Sequence, residues 1–145
     1  MAIKGKDSVN RMFRDKLKGY RKGVRSVARE VGEEIEFLAK MFAPPMIDGL
    51  INGKIISNQN GYGYAILVDE MPGEGLAKNM PVYLEFGTGV YAAAYVPTLP
   101  DEWQKAARKY FINGKGTTQA HSFIYPAWNS RGKTFIDRVR EVLRK

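Results

Sequence analysis

The 145-residue chain has no cysteine and a single histidine, His121. Without cysteine there is no disulfide framework and no thiolate metal site, and folding in a reducing cytoplasm is expected. With one histidine, a zinc site would have to be built from carboxylates, a donor set zinc seldom uses. No apolar run approaches the roughly 18 residues of a membrane span. The start, Met-Ala-Ile-Lys-Gly-Lys, lacks the apolar stretch of a secretion signal. Acidic residues are scarce in one region only. Up to Arg29 ten basic residues are opposed by Asp7 and Asp15 alone, whereas from Glu30 onward thirteen basic residues meet thirteen acidic ones. The net charge of +8 therefore sits entirely in an N-terminal arm. Such an arm suits a polyanion or an acidic protein surface; the alternative is a solvated helix face that only aids solubility.

A hydrophobic fraction of 44% and this length describe one globular domain, residues 1–145. Asp7-Ser8 offers a cap for a helix over residues 8–43. Its apolar positions step by threes and fours from Val9, Met12, Phe13 and Leu17 through Tyr20, Val24, Val27 and Val31 to Ile35 and Leu38. Pro44-Pro45 ends it, and Gly19 and Gly23 mark a place for a bend or break. Residues 50–128 read as sheet and loops. Lys-Ile-Ile-Ser and Tyr-Gly-Tyr-Ala-Ile-Leu-Val form two strands around an Asn58–Gly61 turn. Pro81 to Phe86 is either a short strand or a helical turn, and Met71–Met80 and Tyr91–Leu99 read as loops. Pro100 opens a helix from Asp101 to Ile112, ended by Asn113–Gly116. Ala120 to Tyr125 reads as a strand. A closing helix covers 131–144, with Thr134 and Asp137 resembling a capping box. The expectation is an α+β fold in which the long amphipathic N-terminal helix packs on a small, mostly antiparallel sheet, with a short middle helix and a C-terminal helix.

Catalytic chemistry finds little support. A lone histidine in a strand is usually structural. Asp69 and Glu70, read as strand neighbours, would point to opposite faces. Asp101 and Glu102 suit the positive end of a helix dipole without further purpose. Gly132-Lys133-Thr134 lacks the upstream glycine of a phosphate loop. No nucleophile–base–acid set, cofactor or metal site is expected. Within the arm, Arg11, Arg14, Lys18, Arg21, Lys22 and Arg25 are the candidates for contact with DNA or a partner, through phosphate rather than base readout. Phe13 and Tyr20 lie on the apolar stripe and are expected in the core rather than stacked on bases.

The segment Val82-Tyr-Leu-Glu-Phe-Gly-Thr-Gly89 resembles the signature of the bacteriophage tail-completion family, a putative tail component of lambdoid phages related to head–tail joining (neck) proteins. Its members read tyrosine, an apolar residue, then Glu-Phe-Gly-Thr. Two partial matches follow in order. Ala43-Pro44 precedes Asp48-Gly49-Leu50, where members carry Thr-Gly-x-Leu. Ala120-His-Ser-Phe-Ile-Tyr-Pro-Ala127 keeps Phe, Pro and Ala of a Pro-Phe-x-x-Pro-Ala segment but lacks its first proline and the arginine. The resemblance implies a non-enzymatic structural subunit that forms a ring, a hexamer, at the head–tail junction of the virion after assembly in the host cytoplasm. It implies a head-closure protein on one side, a tail terminator or tail tube protein on the other, and DNA in the channel. Tyr83, Leu84, Glu85, Phe86, Gly87, Thr88 and Gly89 become the candidate assembly motif. A buried Glu85 would need an arginine or a set of backbone amides, from its own subunit or the next; alternatively the motif only fixes a turn in the monomer. A basic nucleic-acid-binding module and a small nuclease or toxin using His121 are the competing readings.

Overall fold

A computed structural model describes residues 6–59, 61–109 and 115–145. Helix α1 spans Lys6–Phe42 without interruption. Asp7 and Ser8 lie inside it, and no break occurs at Gly19 or Gly23. A four-residue helix, α2 (Pro45–Asp48), begins directly at the proline pair, because proline needs no hydrogen-bond partner in a first turn. Strands β1 (Ile51–Asn58) and β2 (Gly61–Val68) then pair antiparallel, from Ile51 opposite Val68 to Asn58 opposite Gly61. They make the one sheet among the described residues. A 3-10 turn at Gly75–Asn79 leads into α3 (Met80–Phe86), and α4 (Gly89–Tyr95), a 3-10 turn at Val96–Thr98 and α5 (Asp101–Arg108) follow. The last helix, α6, spans Ile124–Arg144.

The fold is α+β, as expected, but its middle is mostly helical. Pro81–Phe86 resolves as helix. Tyr91–Leu99 is helix and 3-10 turn rather than loop. The helix at Asp101 is observed to Arg108, and its expected end at Ile112 and Asn113 lies outside the described residues. Ala120–Tyr125 is not a strand: the chain is irregular through Ser122, and α6 begins at Ile124, well before the expected start at 131. Aromatic and β-branched residues favoured the strand reading; a distant carboxylate, described below, supplies the hydrogen bonds that begin the helix instead. Thr134 therefore sits mid-helix, with its hydroxyl donating to the Arg131 carbonyl at 2.7 Å, and caps nothing.

Two apolar clusters form the core. In the larger, Val27, Val31, Ile35 and Ala39 of α1 meet Ile47, Ile51, Phe123 and Ala127, with Ile66, Leu84 and Val139 packed around them. The smaller joins Phe86, Ala92, Val96, Leu99 and Ala107, flanked by Val82, Trp103 and Tyr125. Helix α6 runs antiparallel to α1, since its start lies with Ile35 and Ala39 while Val142 packs against Gly23. Arg138 clasps Glu34 through both nitrogens at 2.9 and 3.2 Å, tying the helices at mid-length. Both ends of that ion pair are partly solvated, so its net worth is small.

The glycines of α1 are contact points rather than weak ones. A Cβ on Gly23 would stand 2.5 Å from Val142 Cγ1, and one on Gly32 would stand 2.2 Å from Tyr64 Cγ. Gly19 faces open space, and nothing in the structure requires glycine there. Opposite signs are therefore expected on thermal melting. Gly19→Ala should stabilise by up to ~1 kcal/mol through helix propensity. Gly32→Ala should destabilise, because overpacking of roughly 1–3 kcal/mol exceeds that gain. Equal gains at both positions would contradict the close packing of Tyr64 on α1.

Tyr64 also donates its hydroxyl to Glu36, which accepts from Lys40 Nζ at 2.6 Å as well. Burial, then the bond to Glu36, pushes the Tyr64 hydroxyl up to about 12. Burial opposes ionisation of Glu36, but hydrogen bonds from Lys40, Tyr64 and the Gly53 backbone, with the charge of Lys40, outweigh it and hold the carboxyl below its ordinary value. The two groups bracket stability from opposite sides. Tyr64's contribution is full below the ordinary tyrosine value near ~10 and is lost as pH rises through the raised one. Glu36's is present above the ordinary carboxylate value and is lost as pH falls through the lowered one. Ultraviolet titration should show a hydroxyl ionising near the raised value that disappears in Tyr64→Phe. A variant titration identical at high pH would exclude this contact.

Candidate functional site

Helix α3 lies between the two clusters, with Leu84 packed on the larger and Val82 and Phe86 on the smaller. That placement leaves Glu85, 3% exposed, pointing into protein. A carboxylate has about four lone-pair sites, and all are used. Oε1 accepts from Ser122 Oγ at 2.7 Å and from the Tyr125 amide at 2.9 Å. Oε2 accepts from the amides of Phe123 at 2.8 Å and Ile124 at 2.9 Å. A helix start leaves four amides without partners. Phe123 is the cap residue of α6, so these are the amides of residues 123–126. Glu85 takes three of them, and the fourth does not exist because residue 126 is proline. The negative group also meets the positive end of the helix dipole. Glu85 is thus held by backbone amides and a hydroxyl of its own chain.

The rest of the motif stitches the same junction. Gly87 has φ +77, in the left-handed region, and a Cβ there would lie 3.0 Å from the Ala120 amide nitrogen, so glycine is required twice over. The Thr88 amide donates to the Thr118 carbonyl, and Thr88 Oγ1 accepts from the Thr118 amide, both at 2.9 Å. The His121 amide donates to the Leu84 carbonyl at 2.6 Å. Tyr83, Glu85, Phe86, Gly87 and Gly89 are buried, and Leu84 and Thr88 are half-buried. The motif thus acts inside the subunit, where it holds residues 116–125 against α3. His121 is exposed apart from that backbone bond.

Beside Glu85 opens a cavity of about 310 Å³. Its walls include Pro81, Val82, Phe86, Trp103, Phe123 and Ile124, and Asp69, Glu70, Lys78 and Asn79 also line it. Trp103 meets Phe86 with centroids 6.5 Å apart and Tyr125 edge-on at 5.2 Å. Asp69 and Glu70 follow β2 instead of lying in it and line the same cavity, which corrects the expectation that they diverge. Asp69 is already engaged by Asn52 Nδ2 at 2.8 Å. Among the described residues the lining holds no histidine, serine, threonine or tyrosine, and Glu85 has no lone pair to spare. Among the described residues no three metal-ligating side chains converge. Nearby, burial raises the Tyr95 hydroxyl above its ordinary value; hydrogen bonding with Ser122 opposes this, while the charges of Glu85 and Tyr125 add to it.

The basic candidates lie elsewhere. Arg11, Arg14, Lys18, Arg21, Lys22 and Arg25 are all exposed on α1, and all but Arg11 border one open surface hollow with Leu17. Arg25 stacks over the Tyr62 ring at 5.4 Å and so belongs to the body. Roughly 33 Å of helix separates Phe13 from Ile35, so the arm and the Glu85 junction occupy different ends of α1. Phe13 is 61% and Met12 64% exposed, with Val9 and Leu17 similar, which overturns the expectation that Phe13 is core. Periodicity finds an apolar face but not what covers it, and among the described residues Leu17 meets Leu143 of α6 only across an open hollow. The cavity and the roles of Trp103, Asp69 and Glu70 were missed by sequence reading; Pro81 and Trp103 stand in different helices, so no local spacing signals their meeting.

Comparison with protein-family models, curated proteins and solved structures finds no match for this chain. The chemistry of the junction is tested directly by Glu85→Gln, which turns an acceptor oxygen into a donor facing two donors. A loss of roughly 2–4 kcal/mol in unfolding free energy is expected, with helical signal lost as α6 frays. Gly87→Ala should also destabilise. An unchanged melt for Glu85→Gln would mean that the carboxylate does not anchor α6.

Proposed function

We propose that this chain is a structural subunit of the neck of a long-tailed phage, a tail-completion protein that assembles as a ring between head and tail. One observation carries the reading. Two of the three segments that resemble the family, Tyr83–Gly89 and Ala120–Ala127, are one structural unit, joined by three backbone N–H hydrogen bonds to Glu85. Phe123 and Ala127 are core, and Pro126 removes the amide that Glu85 does not reach. A signature whose ionisable group is consumed in folding is that of a scaffold rather than a reaction centre. The apolar stripe from Val9 to Leu17 adds support, since it is exposed among the described residues. The ring, its head-closure and tail-tube neighbours, and DNA in the channel are parts of the same proposal.

A nucleic-acid-binding module is the second reading, favoured by the exposed basic side chains of α1. Light scattering on the purified chain, alone and mixed with tail tubes or a candidate head-closure protein, separates the two. A ring, or a monomer that becomes one on mixing, is expected. A chain without Met1–Lys22 should keep its fold and lose joining. A monomer that ignores both partners and binds DNA with steep salt dependence would replace this reading with the second.

A further inference from the structure

We propose that the N-terminal arm of one copy docks in the cavity beside Glu85 of the next copy, so that subunits join head to tail. The inference rests on the ring reading and names the contact that builds it. The arm presents Val9, Met12, Phe13 and Leu17, all exposed, on one face at helical spacing. Arg11, Arg14, Lys18 and Lys22 rise beside that stripe, all exposed. The cavity offers the complement: an apolar, aromatic wall with Val82, Trp103 and Ile124, and a rim on which Asp69 and Glu70 outnumber Lys78. At about 310 Å³ it has room for an anchoring side chain such as Phe13, in the manner of amphipathic helices seated in grooves. A chain cannot fill its own cavity, because α1 is one unbroken helix and roughly 33 Å of it separate Phe13 from the level of Ile35. Arm against arm would set like charges together, whereas arm against cavity sets cations beside carboxylates. Two different surfaces in contact form a heterologous interface, which closes into a ring or runs on as a filament.

The absence of cysteine makes the test clean. Full-length Phe13→Cys and Val82→Cys chains, mixed in high salt, returned to low salt and oxidised, should give a crosslinked dimer. Neither alone should do so, and the double variant should give a ladder that ends at the ring number. Glu70→Lys, at an exposed position, should keep its melting temperature and lower the crosslink yield several-fold, as should added salt. A dimer from Phe13→Cys alone would assign the stripe to arm–arm pairing and overturn the docking while the ring stands. An oligomer by light scattering with no crosslink in the mixture would do the same. A monomer even with tail tubes present would sink both readings, and binding of that monomer to anionic vesicles or to DNA would assign the arm to lipid or nucleic acid.

Discussion

A carboxylate taken out of water must find donors, and a helix start must find acceptors; Glu85 and the first turn of α6 answer each other. Neither would be stable alone. An unpaired buried carboxylate is costly, and three unbonded amides at a buried helix start are costly too. Together they fix where α6 begins, which in turn decides that Phe123 and Ala127 face α1. The same helix, α3, holds Leu84 in one cluster and Phe86 in the other, so the junction binds the two halves of the core. Gly87 allows the approach of Ala120, and Thr88 extends the seam to Thr118. Helix α1 then serves as the spine against which α6 and the hairpin are laid.

How much of this could be read from sequence follows from the range of the interactions. Helix α1 and its stop at Pro44-Pro45 are local, and so is the hairpin with its turn after Asn58; all were legible. The capping of α6 spans 38 to 40 residues, which no window of local propensity contains. Hence Ala120–Tyr125 read as strand. Glycines misled in a related way. Propensity treats Gly23 and Gly32 as defects, but their meaning lies in Val142 and Tyr64, far along the chain. Of the candidate site, the motif and the basic arm were visible as residues, and the need of Glu85 for buried partners was visible as chemistry. Which partners, and the cavity beside them, were not.

The molecule divides its labour between an interior that is satisfied and a surface that is not. Among the described residues no buried side-chain polar atom lacks a partner. Outside, the arm carries an apolar stripe, and Ile56 and Leu67 leave an apolar patch on the outer face of the hairpin. Open faces of this kind, beside an interior so fully satisfied, are the surfaces that the proposed assembly would bury.

Glu85 makes the start of α6 part of the main core rather than a fraying end. Amide hydrogen exchange measures this most directly. The amides of Phe123, Ile124 and Tyr125 should exchange only through global unfolding, with the same protection as the amides of Val31 and Ile35 in α1. Rapid exchange at residues 123–125 while α1 stays protected would contradict it, because the carboxylate would then decorate the helix start without holding it.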